Sequence, residues 1–214
     1  MGFSAIIITI AVIIFLFFAI AAFIASMYKK VAPGQAIVKT GAGGTKVAFD
    51  GMIVLPVVHR FEVMDIALKK VEIDRMGKDG LICKDNMRAD IKVVFFVRVN
   101  PDATAVKDVA QTIGCERASD IGTLNELFEA KFSEGLKTLG KRFDFVDLYD
   151  SREQFKTQLI EIIGRDLNGY ILDDAAIDYL EQTPLSFLKP DNILDSEGIK
   201  KITELTATQN MKAN

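Results

Sequence analysis

The chain has 214 residues, with 26 Lys and Arg against 29 Asp and Glu, and the two signs are interspersed to a formal net charge of −3. That mixture creates no large basic field, which argues against nucleic acid as a main partner. Two cysteines and one histidine cannot build a zinc site without several carboxylates, so the sequence assigns no metal, and nothing in it assigns a cofactor or a small-molecule substrate.

All charged side chains lie beyond Tyr28. Before them, Ile6 to Ala25 reads IIITIAVIIFLFFAIAAFIA, with Thr9 as its polar interruption. At about 1.5 Å rise per residue such a helix is about 30 Å long, the thickness of a bilayer's hydrocarbon core. A core helix needs only one apolar stripe. A cleavable signal peptide would find a small-x-small step at Ala19-Ile20-Ala21, but the apolar run is long for that role and no Lys or Arg precedes it. Residues 1–28 are therefore read as a retained membrane anchor, with Ile6, Ile13, Phe17, Ile20 and Ile24 among its lipid-facing side chains. Lys29, Lys30, Lys39 and Lys46 follow before the first acid, Asp50. The positive-inside rule then leaves a short N-terminus outside and the rest in the cytoplasm, where Cys83 and Cys115 are expected as free thiols.

Residues 29–101 read as a β-rich unit. Val31–Gly34 breaks the helix, and apolar runs follow at Gln35–Thr40, Thr45–Phe49, Met52–Val58, Phe61–Ile73 and Leu81–Lys84. Asp50-Gly51 and Asp79-Gly80 are hairpin-type dipeptides. The clearest strand is Met87–Val99, where Met87, Ala89, Ile91, Val93, Phe95, Val97 and Val99 share one face and Arg88, Asp90, Lys92 and Arg98 mark the other, with Val94 and Phe96 there as well. Residues 102–190 read as a helix-rich α/β unit. Helical spacing covers Asp102–Ile113, Ser119–Leu139 and a third helix that opens on the capping-box pattern Ser151-Arg152-Glu153-Gln154 and ends near Gly169. Tyr170–Gln182 reads as a strand. Residues 191–214 form a last helix capped by Asp195 or Ser196, with Ile199, Ile202 and Leu205 as the start of a coiled-coil seam too short to stand alone. The fold class is α+β: an N-terminal transmembrane helix, an antiparallel β-rich subdomain, an α/β subdomain and the beginning of a long C-terminal helix.

The candidates for chemistry have plainer explanations. Gly41-Ala42-Gly43-Gly44-Thr45-Lys46 lacks the Gly-Lys-Ser/Thr order of a phosphate loop and precedes a strand, so it is read as a glycine-rich hairpin turn. His59 has no nucleophile motif beside it. Lys84 could lower the pKa of Cys83, but a packing thiol is the preferred reading. Asp173 and Asp174, adjacent on a strand, would diverge. No residue is assigned a catalytic role. Met52–Val58 carries two readings. The preferred one is a core strand with Pro56 at an edge or bulge; the other is a segment, Ile53, Val54, Leu55, Pro56 and Val57, that dips into the inner leaflet beside the anchor.

The order of parts resembles the SPFH (band 7) superfamily, and within it the flotillin branch. The resemblance is carried by the apolar N-terminus, the V-x-P-G-x-A entry at Val31–Ala36, and the stretches Val57–Ile66, Leu81–Asn86, Ile121–Gly140, Asp178–Pro184 and Asp191–Thr206. It implies a non-enzymatic scaffold of the bacterial inner membrane, binding lipid and organising microdomains and their resident proteins. It also implies side-by-side homo-oligomers in a ring or cage, and a small membrane partner of the NfeD type. Flotillin-like proteins continue into a long Ala/Glu-rich coiled coil, so a chain ending at Asn214 is expected to be truncated before or at the start of that segment. A scaffold also suits one anchor per subunit, because joined subunits hold a membrane patch by multivalency. Lys29 and Lys30 would each add about 1 kcal/mol toward anionic head groups, and the mixed-charge helical face of residues 119–168 could serve subunit contacts. The alternatives are a regulatory subunit enclosing or controlling a membrane protease, a membrane-tethered hydrolase, and a cleaved exported domain with oxidised cysteines.

Overall fold

A computed structural model describes the backbone of residues 2–213 and the side chains of residues 7–212, so the Ile6 side chain lies outside the described residues. Contacts group the chain into two units, each assembled from two separate stretches: Met1–Ala67 with Pro101–Ser119, and Leu68–Asn100 with Asp120–Asn214. This replaces the contiguous division at 101/102. The reason is strand pairing: the strand ending at Val99 takes Tyr170–Gln182 as its neighbour and so joins the later half of the chain.

In the first unit, α1 (Gly2–Ser26) has no proline and no glycine after its first residue, and stops where the Ser26 hydroxyl donates to the Phe23 carbonyl at 2.7 Å. The chain then enters β1 (Tyr28–Lys30). A three-stranded antiparallel sheet follows, β2 (Gln35–Gly41) lying between β3 (Lys46–Ala48) and β5 (His59–Asp65). β4 (Gly51–Ile53) pairs with β1 instead, with Lys29 opposite Met52. Asp50-Gly51 is therefore no hairpin, since β3 and β4 have different partners. The glycine is needed for another reason: a Cβ there would sit 2.6 Å from the Lys29 carbonyl. The glycine-rich turn does close a hairpin, between β2 and β3, with Gly43 and Gly44 at φ +89° and +82°. Two helices cover the sheet. In α2 (Ala103–Thr112), Asp102 caps the amides of Thr104 and Ala105; in α3 (Cys115–Ser119), the Ser119 hydroxyl accepts from the Asp65 N–H at 2.9 Å. Ile37, Met64, Val106 and Ala118 form the buried layer.

The second unit is built on a five-stranded antiparallel sheet. β6 (Lys69–Arg75) and β7 (Leu81–Ile82) share one edge of the long β8 (Arg88–Val99). β10 (Tyr170–Gln182) lies along its other edge, followed by the short β9 (Asp166–Leu167). The period of two predicted for 87–99 is realised: all seven residues of the apolar face are buried. Asp79-Gly80 closes a 3-10 turn between β6 and β7, which both pair with β8, so this dipeptide is no hairpin either. The helices are α4 (Ile121–Gly140), α5 (Phe145–Asp150), α6 (Arg152–Ile163) and α7 (Ile193–Ala213). Phe132 of α4 stacks on Phe95 of β8 with centroids 4.2 Å apart and on Phe128 at 5.5 Å, and Tyr170 meets Phe128 edge-on. Gly135 brings α4 so close to α6 that a Cβ would lie 2.7 Å from Ile163 Cγ1.

Two helix ends differ from expectation. Ser151 makes no side-chain cap, and α6 stops at Ile163, where Gly164 turns at φ +82° and sends Leu167 into β9. The cap of α7 is Asn192, whose Oδ1 accepts from the amides of Leu194 and Asp195. An Asn three residues ahead of Asp195 satisfies the first-turn N–H groups, leaving the Asp195 carboxylate for another bond.

Candidate membrane-facing surface

Ile7–Ser26 is, among the described residues, the one helix long and apolar enough to cross a membrane. Ile13, Phe17, Ile20 and Ile24 are each more than half exposed on it, and every side chain described from Ile7 to Ser26 is exposed. A helix apolar on every side with no protein around it is stable only in an apolar medium.

The helix runs directly into a second apolar surface. Met27 O accepts from the Val54 N–H at 3.0 Å, which fixes the loop after β4 at the exit of α1. Val54 itself is buried, but Ile53, Leu55 and Val58 are exposed and Val57 is 97% exposed. The core-strand reading of Met52–Val58 is thus corrected: pairing ends at Ile53, and Pro56–Val58 form a turn. Proline has no N–H for a ladder, which is one reason the strand goes no further. Tyr28, opposite Ile53, and Phe61 and Val63 of β5 extend the apolar surface. Cations border it: Lys29 Nζ lies 5.9 Å from the Phe61 ring centroid, Lys39 Nζ donates to the Ile53 carbonyl at 3.2 Å, and Lys30 and Arg60 are exposed.

His59 has a structural task here. Its Nδ1 accepts from the Leu55 N–H at 3.3 Å and its Nε2 donates to the Ala42 carbonyl at 3.0 Å, tying the 54–58 loop to the glycine-rich turn. The other candidates for chemistry are likewise occupied. Cys83 is fully buried, and burial, reinforced by Asp85, pushes its thiol up to about 12 despite Lys141. Burial and Glu62 raise Cys115 to about 11. Asp173 pairs with Arg98 at 2.7 Å while Asp174 is exposed beyond a bulge in β10. No group of three His, Cys, Asp or Glu among the described residues could hold a metal ion.

The profile of the SPFH domain / Band 7 family matches residues 29–180, most of the chain. The chain belongs to the SPFH domain / Band 7 family. It is similar to the flotillin family inner membrane protein YqiK of Escherichia coli, 33% identical over 209 residues, 96% of this chain and 38% of that protein. It is also similar to the flotillin family inner membrane protein sll1021 of Synechocystis, 24% identical over 191 residues, 85% of this chain and 28% of that protein. The chain spans well under half the length of these curated relatives.

α7 lies beyond the SPFH match, and its root carries a contact that the sequence did not announce. Arg88 Nε donates to Asp195 Oδ1 at 2.7 Å with both side chains largely buried, and the Lys189 N–H donates to Oδ2 at 3.1 Å. Burial alone would raise the Asp195 carboxyl; the Lys189 and Arg88 bonds outweigh it and hold the group below the usual carboxylate range. Gly198 lets the helix approach so closely that a Cβ would lie 2.5 Å from the Asn86 carbonyl. Ile202 packs with Met87 and Leu188, joined by Ile199, Leu205 and Phe145. The stripe expected to start a coiled coil therefore docks on its own SPFH unit. The partner of that stripe was invisible to spacing, because Met87 is far off in sequence.

Proposed function

We propose that this chain is the membrane-anchored SPFH part of a flotillin-type scaffold of a bacterial inner membrane. In this reading α1 crosses the bilayer once with a short N-terminus outside, and both units lie in the cytoplasm. Lys29 and Lys30 sit among the inner head groups and the loop Ile53–Val57 is seated in the inner leaflet. The observation that carries the reading is the junction at Met27. A helix apolar on all sides passes without a linker into exposed apolar side chains bordered by lysines, and an apolar surface of that kind rimmed with cations suits a lipid interface. Relatives named as flotillin family inner membrane proteins support it, as does the structural employment of His59, Cys83 and Asp173. A scaffold joins copies side by side into a ring or cage, so that many anchors act together on one lipid patch. A small NfeD-type membrane protein is its proposed partner. Native mass of the detergent-extracted protein tests the assembly: particles of many subunits are expected, and a stable monomer refutes it. Protease added to inside-out vesicles should digest the body, while protease outside intact cells should leave it whole. Digestion from outside would reverse the topology.

A further inference from the structure

The second unit holds a cationic cavity that neither the anchor nor the scaffold reading uses. It has a volume of about 250 Å³ and lies between β6, the turn Gly77–Asp79, β7, the start of β8 and the last turn of α4. Arg75, Lys78, Arg88, Lys137 and Lys141 line it against the single carboxylate of Asp79, over an apolar floor that includes Leu81. Arg75 Nε is buried and has no hydrogen-bond partner among the described residues. A buried donor left in that state is costly, so its retention calls for an acceptor. The lysines are no better satisfied. Lys141 Nζ reaches only neutral oxygens, the Cys83 carbonyl and Asn86 Oδ1, each at 3.4 Å, and Lys78 and Lys137 have no carboxylate within ion-pair distance among the described residues.

The cavity is held in shape. The Gly77 N–H donates to Asp90 Oδ1 at 2.8 Å, Thr183 donates to the same oxygen, and Arg88 Nη1 grips the Lys78 carbonyl at 2.6 Å. Gly77 adopts φ +57°, the left-handed region that favours glycine. Arg88 is committed to Asp195, but the other four cations remain for a ligand. On its far side Arg75 borders a second cavity with Glu72, Asp74 and Glu129, yet none of these carboxylates is within ion-pair distance of it. A helix C-terminus attracts Lys137 and Lys141 through its dipole, which explains two cations but neither Arg75 nor Lys78.

We propose that this cavity binds a phosphoryl group carrying at least two negative charges, with Arg75, Lys78, Lys137 and Lys141 as its donors and the apolar floor beneath the attached organic part. A monocarboxylate would leave most of the positive charge unmatched, whereas an arginine fork with converging ammonium groups matches phosphate oxygens. The site is independent of the scaffold reading and stands or falls separately from it.

The test is isothermal titration of the full detergent-solubilised chain with inorganic pyrophosphate, succinate and water-soluble dihexanoyl phosphatidic acid. Saturable binding of a phosphoryl probe is expected, weaker for succinate, and reduced about ten-fold or more in Arg75→Gln and in Lys137→Gln, each of which removes one charge-assisted donor. Lys131→Gln, exposed on the same helix outside the cavity, should bind as the parent does. Phosphatidic acid binding more tightly than pyrophosphate identifies a lipid head group as the source, and the reverse order a soluble phosphate compound. Relief of the orphaned donor predicts that Arg75→Gln melts no lower than the parent without ligand. Should that variant misfold, the exposed Lys137→Gln carries the test. No saturable binding of either phosphoryl probe up to about 10 mM, a Kd corresponding to under about 3 kcal/mol, overturns the proposal. So does binding that Arg75→Gln, Lys137→Gln and Lys131→Gln all leave alike.

Discussion

Replacing Asp195 by Ala should release the root of α7 from its unit. The carboxylate accepts from Arg88 Nε and from the Lys189 N–H, and the Asp195 and Arg88 side chains are only 5% and 14% exposed. Its removal strands two donors where water reaches them poorly, at about 1–3 kcal/mol each. Breaking one side of a buried ion pair costs about 3–5 kcal/mol by mutation, in agreement. At about 1.36 kcal/mol per factor of ten, that is a loss of roughly two to four decades in hydrogen-exchange protection. The loss should appear at the amides of Ile199–Leu205, while those of Val93–Val97 in β8 keep theirs. Asp195→Asn retains an acceptor and should cost about 1–2 kcal/mol. The pH dependence has a definite sign. Because the folded carboxyl sits below its ordinary value, its contribution is fully present above about pH 4 and is lost as pH falls through the folded pKa. Protection of α7 should therefore be flat from pH 7 to 5 and decline only in stronger acid, and the acid step should vanish in Asp195→Asn. Unchanged α7 exchange in Asp195→Ala, or a loss spread evenly over the sheet, would refute the assignment of the clamp.

Phe132→Ala removes the ring stacked between Phe95 and Phe128 and should lower stability in urea by about 3–5 kcal/mol. Gly135→Val places a branched side chain against Ile163 and should cost about 1–3 kcal/mol by overpacking, seen as a lower Tm; an unchanged Tm would mean that α4 and α6 do not cross as described. With Cys83 at about 12 and Cys115 at about 11, only about one thiol in ten thousand and one in a thousand is ionised at pH 8. Native protein should resist disulfide exchange reagents and react at both positions once unfolded. Val57→Cys in inside-out vesicles should react with an impermeant maleimide about ten-fold more slowly than Asp50→Cys, because lipid covers it. Equal rates would place the loop in water.

The sequence by itself determined the elements whose pattern is local. α1 was legible because twenty consecutive residues, apolar but for Thr9, admit one solvent, and β8 because every second residue from Met87 to Val99 is apolar and buried. The bounds of β10 were also legible, although what precedes it is the Asn168-Gly169 turn from β9 and not the end of the helix expected to reach Gly169. The family was readable from several short stretches in the right order. What only the tertiary structure decided is what each element meets. The strand at 88–99 chose β10 as its neighbour and so divided the chain into interleaved units. His59 found an oxygen 17 residues away, and Arg88 a carboxylate 107 residues away. The stripe Ile199, Ile202 and Leu205 looked from its spacing like a seam for another helix and packed on Met87 and Leu188 instead. Periodicity specifies that a face is apolar and on which side, because neighbouring residues alone set it; the partner of that face depends on loop closure and on competing surfaces throughout the chain, which no local window contains.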